Sequence, residues 1–131
     1  MKFLSGEWFG NRLTLAAELP TIAGASARLQ HQVTTRDGDT LRYYDIIEDG
    51  RLLGSALGVV PDADVVLDML WTDELAFVRG QLDPVIGVLQ GRIVITGDEN
   101  RALALLPILQ TPQALAIQRV LDRTTEDDHD R

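Results

Sequence analysis

Apolar residues near the start of the chain recur at helical spacing: Phe9, Leu13 and Ala16 form one stripe, and Trp8, Leu15 and Leu19 a second. Ser5 is positioned to cap this helix, and Pro20 and Gly24 end it. The period then changes to two. Over residues 25–36, Ala27, Leu29, His31 and Val33 fall on one face and Arg28, Gln30, Gln32 and Thr34 on the other, the pattern of a half-buried strand. Asp37-Gly38-Asp39 and Asp49-Gly50 are tight-turn signals. They bracket a β-rich run at 41–48 and lead into a third strand over 51–60, in which Leu53, Leu57 and Val59 share a side. Three short strands joined by two tight turns predict an antiparallel meander.

After Pro61-Asp62, Val65, Leu67 and Met69 alternate with Asp64 and Asp68, which predicts a fourth strand with its acids toward solvent. Thr72-Asp73-Glu74 reads as a helix start, cap followed by first-turn acids, with Gly80 at the end. Asp83-Pro84 opens a second short helix with the apolar stripe Val85, Val88 and Leu89, stopped by Gly91. Residues 92–96 form a fifth strand. Asp98 caps a helix that Pro107 is expected to end or kink, and Thr111-Pro112 opens a last one bearing Ala114, Ile117 and Leu121. A sheet with one apolar face and several amphipathic helices to cover it is an α+β domain.

Composition narrows the function classes. The 131 residues make one domain, and 45% hydrophobic with 24% charged residues is a soluble globular mix. No apolar run approaches the roughly eighteen residues of a membrane span, so no integral membrane contact is expected. An acid at Glu7 comes too early for a signal peptide, and the expected location is cytoplasmic. The net charge is −8. The last ten residues hold five acids and two arginines, a net of −3, so 1–122 is read as the domain and 123–131 as a disordered acidic tail. An acidic body excludes nucleic acid as the main partner. Lys2 is the single lysine among twelve basic residues, a bias that points to a high-GC bacterial source.

The chain offers little chemistry. Without cysteine there is no thiol nucleophile, disulfide or zinc–thiolate site. Gly54-Ser55-Ala56-Leu57-Gly58 has the serine in the wrong place for a nucleophile elbow. No nucleotide-binding glycine motif occurs, and two histidines, one of them His129 in the tail, do not make a metal site. No cofactor and no metal are expected. His31 stands out as the one strongly polar residue on an apolar strand face. It is either a satisfied core histidine or a handle for a ligand head group. Tyr43 and Tyr44 are strand formers or polar anchors, and Trp8 and Trp71 are core or cavity wall.

Four segments carry a resemblance. Asp62-Ala63-Asp64-Val65-Val66-Leu67, then Gly80-Gln81-Leu82-Asp83-Pro84, then Leu89-Gln90-Gly91-Arg92-Ile93-Val94-Ile95-Thr96-Gly97-Asp98, then Ala104-Leu105-Leu106-Pro107 occur in the order and spacing of the sterol carrier protein 2 family, which the chain resembles. The resemblance implies a five-stranded, largely antiparallel sheet covered on one face by helices, with an apolar tunnel between them. It also implies non-catalytic binding or transfer of a fatty acid, fatty acyl-CoA or sterol-like lipid. On that reading Leu75, Val78, Val85, Val88, Leu89, Leu103 and Leu106 line the tunnel from the helices. Leu29, Leu57, Met69 and Trp71 lie beneath them, and His31 is the polar handle. Gly80 and Gly87 are helix punctuation or points of close ligand approach.

An empty tunnel of about 400 Å³ would cost up to about 10 kcal/mol, so it must be filled, collapsed onto its side chains or covered. Two alternatives stay open at the level of sequence. One is a small enzyme acting on an apolar substrate through His31 and Asp45 or a tyrosine. The other is an interaction module with a closed groove that serves homodimerisation or another partner.

Overall fold

The computed structural model describes residues 1–127. Five helices and five strands follow in the order α1 (Gly6–Ala16), β1 (Ala27–Thr34), β2 (Thr40–Glu48), β3 (Arg51–Leu57), β4 (Val65–Leu70), α2 (Trp71–Val78), α3 (Pro84–Leu89), β5 (Val94–Gly97), α4 (Glu99–Leu109) and α5 (Pro112–Thr124). The predicted caps form where short polar side chains can reach unpaired first-turn amides. Ser5 accepts from Trp8 N, Asp83 from Val85 N and Ile86 N, Asp98 from Arg101 N, and Thr111 from Ala114 N.

The strands form one sheet in the order β3-β2-β1-β4-β5. The meander pairs as expected, with His31 opposite Tyr43 and Tyr43 opposite Leu57. The sheet is mixed, however, because β4 runs parallel to β1 along its length. Parallel neighbours leave no turn signal, since their connection is long. Residues Ala27, Leu29, His31 and Val33 of β1 share their face with Tyr43, Asp45, Val65, Leu67 and Met69, and the helices cover that face.

Several local expectations are corrected. A bulge between Ile46 and Ile47 places Leu52, not Leu53, opposite Ile47, which leaves Leu53 exposed. α2 begins at Trp71 with no side-chain cap, so Thr72 is not the cap residue. Glu74 is consequently not a solvated first-turn acid: it follows Trp71 by three residues and joins Leu75 and Val78 on the buried stripe. Pro107 lies inside α4, which continues to Leu109. Proline removes a single backbone donor there, and continuation buries Ile108.

The chain ends meet. Lys2 bridges Glu126, Trp8 Nε1 donates to Thr125 at 3.2 Å, and Trp71 Nε1 donates to Asp127 at 2.8 Å. Residues 123–127, expected in the tail, are therefore part of the packed structure. The remainder of the expected tail, with His129, lies outside the described residues.

The interior has two halves. Phe3, Trp8, Phe9, Tyr43 and Trp71 form an aromatic cluster with edge-on contacts such as Phe3–Trp8 at 5.1 Å. Leu29, Val65, Leu67, Met69, Leu82 and Ile93 form an aliphatic one, and Phe77 packs against both.

Candidate functional site

Between the two clusters lies a group of buried charges. Trp8, Arg12, Leu15 and Leu19 recur at helical spacing, so Arg12 sits on a stripe that α1 turns toward the sheet. Its guanidinium meets Asp45 of β2 in a fork, Nη1 to Oδ1 at 2.5 Å and Nη2 to Oδ2 at 3.1 Å. Arg12 Nη1 also donates to Ser55 Oγ at 2.8 Å, and Ser55 Oγ donates to Asp45 Oδ1 at 2.7 Å. On the other side of Asp45, His31 Nε2 lies 2.9 Å from Oδ2. The far nitrogen, His31 Nδ1, is 2.8 Å from Glu74 Oε1, a charge contact outside hydrogen-bond alignment. Tyr43 stacks on the His31 ring at 4.0 Å and donates its hydroxyl to Glu74 Oε1.

Two cations and two carboxylates thus compensate one another, with His31, Asp45 and Glu74 buried and only Arg12 keeping partial access to water. Burial alone would pull the His31 pKa down from 6.5, but Glu74 and Asp45 oppose it and push the ring up to about 9. Burial likewise works against the Asp45 charge, yet Arg12 and His31 hold that carboxyl well below the usual carboxylate range. Burial and the Glu74 charge push the Tyr43 phenol well above 10.0. At neutral pH His31 is protonated and has no lone pair to accept a proton. Asp45 already accepts four hydrogen bonds, its full complement. The group is chemically closed. Among the described residues no set of three or more acidic or histidine side chains is arranged to hold a metal ion.

Three cavities adjoin this group. An inner one of about 150 Å³ is walled by Leu29, Met69, Phe77, Ile93 and Leu106, with His31, Asp45 and Arg12 at its polar end. A second, of about 130 Å³, lies toward α1 and α5 between Leu19, Leu52, Ile117 and Leu121. The two share Arg12, Ile47, Phe77, Ile108 and Leu109, which form the partition between them. An outer groove of about 390 Å³ between α3, β5 and α4 shares Pro84, Val88, Ile95, Ala102 and Leu106 with the inner cavity.

The residues expected to line a tunnel are divided among these spaces. Leu29, His31, Met69, Val88 and Leu106 meet at the inner cavity. Val85, Leu89 and Leu103 line the outer groove, and Val78 faces the second cavity. Trp71 and Leu75 belong to the aromatic cluster, away from all three. Leu57 ends the edge strand β3 and is 46% exposed, away from all three spaces. Gly87 is buried for packing: a Cβ there would meet Ile93 Cδ1 at 2.7 Å. Gly80, with φ +75, ends a helix in the left-handed region. Sequence reasoning missed Arg12, Glu74 and Phe77. The first two were detectable as charges on otherwise apolar helical stripes.

No protein-family model matches the chain, and no curated protein sequence matches it. Solved structures do. A crystal structure of sterol carrier protein 2 is 17% identical over 92% of this chain and 97% of that chain, with a TM-score of 0.66. Palmitated sterol carrier protein 2 like 2 from Aedes aegypti is 20% identical over 80% of this chain and 90% of that chain, at 0.59. The inverting sec-alkylsulfatase Pisa1 from Pseudomonas matches over 72% of this chain but only 15% of its own, at 20% identity and 0.52. The chain has the sterol carrier protein 2 fold.

Proposed function

We propose that the chain binds or transfers an apolar ligand, a fatty acid, fatty acyl-CoA or sterol-like lipid, in the space between sheet and helices. The observation that carries this reading is the inner cavity: a mostly apolar chamber of about 150 Å³ that shares a wall with a larger outer groove. Such concave, mostly apolar spaces with a few convergent polar groups are what small-molecule sites are made of. The palmitated Aedes aegypti neighbour supports the same reading. So does the closed chemistry of His31 and Asp45, which leaves neither available as a base. The reading is of a cytoplasmic carrier without a cofactor. No helix among the described residues is long and apolar enough to cross a membrane.

Native mass spectrometry of purified protein, before and after incubation with palmitate, palmitoyl-CoA and cholesterol, tests it. A one-to-one adduct is expected with at least one of them. Ala102→Phe, which projects a ring into the wall shared by cavity and groove, should abolish the adduct while leaving the far-UV circular dichroism intact. Absence of any adduct, or full retention in the folded variant, overturns the reading. One observation favours a second copy as a further partner. Val85, Leu89 and Leu103 are all at least half exposed around the groove, and light scattering at high concentration would detect the dimer.

A further inference from the structure

One member of the polar group stands between two spaces and not at the end of one. Arg12 belongs to the partition between two cavities of nearly equal size, about 150 and 130 Å³, both mostly apolar, with His31 and Asp45 beside it on the inner side and Gln118 in the wall of the second. An apolar cavity of about 150 Å³ accommodates about six carbons, as the benzene-binding cavity of that size does. A ligand occupying both would therefore place an arm of about six carbons on each side of Arg12.

The donors point the same way. A guanidinium has five N–H groups, and Asp45 and Ser55 take three from Arg12. The Nε–H and one Nη2–H are engaged by no described residue. Asp45, by contrast, has no acceptor capacity left, and both His31 nitrogens face carboxylates. What the junction still offers is donation to an acceptor. The sign of that acceptor follows from the charge balance. Arg12 and His31 already match Asp45 and Glu74, the last three fully buried and Arg12 largely so, and an anionic head group would add an uncompensated charge beside two carboxylates. A carbonyl or ether oxygen would not.

We infer that the preferred ligand carries a neutral hydrogen-bond acceptor, a ketone or ester carbonyl, flanked by two apolar arms, with Arg12 as its donor and Phe77 and Ile108 as the partition the arms straddle. This rests on the carrier reading above and narrows its ligand class.

Three probes of equal carbon number separate the possibilities: dihexyl ketone, tridecanoic acid and tridecane. Binding to the wild-type chain is measured by displacement of a fluorescent lipid at neutral pH. The ketone is expected to bind at least about ten-fold tighter than either of the others, the scale of one well-placed hydrogen bond. In Arg12→Lys, which keeps a cation on Asp45 but loses the fork, the advantage of the ketone over tridecane should fall to about two-fold or less. If the variant does not fold, the wild-type ranking alone decides. Tridecanoic acid binding as tightly as the ketone overturns the inference and leaves the carrier reading standing. Failure of all three to displace also overturns the inference, and removes the carrier reading as well only where palmitate, palmitoyl-CoA and cholesterol likewise give no adduct.

Discussion

Alkaline destabilisation is the most direct consequence of the buried quartet. The His31 ring has a folded pKa of about 9 against 6.5 for the free side chain. A raised folded pKa means the stabilisation is fully present below pH 6.5 and is lost as the pH rises through 9. The shift corresponds to about 3 kcal/mol in total, of which about 2 kcal/mol disappears between about pH 7 and 9. Against the 5–15 kcal/mol typical of a domain this is large, and it should lower the melting temperature by about 8 °C. The acid limb has the opposite sign. Asp45 is held far below 3.8, so its contribution is present above that pH and lost only on stronger acidification. Stability therefore has a plateau between about pH 4 and 6.5, bounded by the two ordinary pKa values. Urea unfolding followed by the fluorescence of the two core tryptophans, Trp8 and Trp71, measures it across a pH series. Glu74→Gln is the control: it keeps an acceptor for Tyr43 but removes the carboxylate that contributes most to raising the ring, so the alkaline loss should shift to lower pH and shrink. Stability that is flat or rising from pH 6.5 to 9, or an unchanged profile in Glu74→Gln, refutes the reasoning.

Two further outcomes test other parts of the structure. Gly97→Ala should cost about 3 kcal/mol or more in urea unfolding, because φ is +104 and a Cβ would lie 2.4 Å from the Asp64 carbonyl oxygen across the β4–β5 pair; a loss under about 1 kcal/mol would contradict that contact. Phe77→Ala should lower stability by about 3 kcal/mol and enlarge the space where the two cavities meet, so that native mass spectrometry finds bulkier ligands favoured over those the parent takes.

What was legible in the sequence follows the range of the interactions involved. Caps at Ser5, Asp83, Asp98 and Thr111 are settled within three residues of themselves, and the hairpin turns within two. Each could be read locally. The parallel pairing of β1 with β4 joins His31 to Leu67 across thirty-six positions and has no local signature. The bulge at Ile46 and Ile47 depends on cross-strand fit, so Leu53 looked inward until Leu52 took its place. Glu74 satisfies two rules at once: a first-turn acid favours the helix dipole, but its place three residues after Trp71 also puts it on the buried stripe, and packing decides between them. Helical stripes identify Leu75, Val88 and Leu103 equally as apolar, but only the packing of α2 against the aromatic cluster takes Leu75 away from the cavity, and only the opening between α3 and α4 leaves Leu103 at the groove.

The division of the interior into an aromatic and an aliphatic half explains how one small domain holds both a charge quartet and empty space. Buried ions hold their geometry only when the surrounding side chains cannot move, since a small displacement exposes an uncompensated charge. The aromatic half supplies that rigidity: Tyr43 is stacked on His31 and wedged between Trp8 and Phe9, with ring centroids 6.3 and 5.7 Å away. The aliphatic half has the opposite character. Leu, Ile and Val side chains around the inner cavity can repack around guests of different shape at little cost, and an empty chamber of about 150 Å³ penalises the fold by at most about 4 kcal/mol. Arg12 belongs to both halves, held by Asp45 and set 5.4 Å from the Trp8 ring centroid, yet forming wall on the cavity side. A fixed donor on a deformable apolar chamber makes polar recognition selective and leaves apolar recognition permissive, so ligands should be discriminated by where their acceptor lies more sharply than by the shape of their chains.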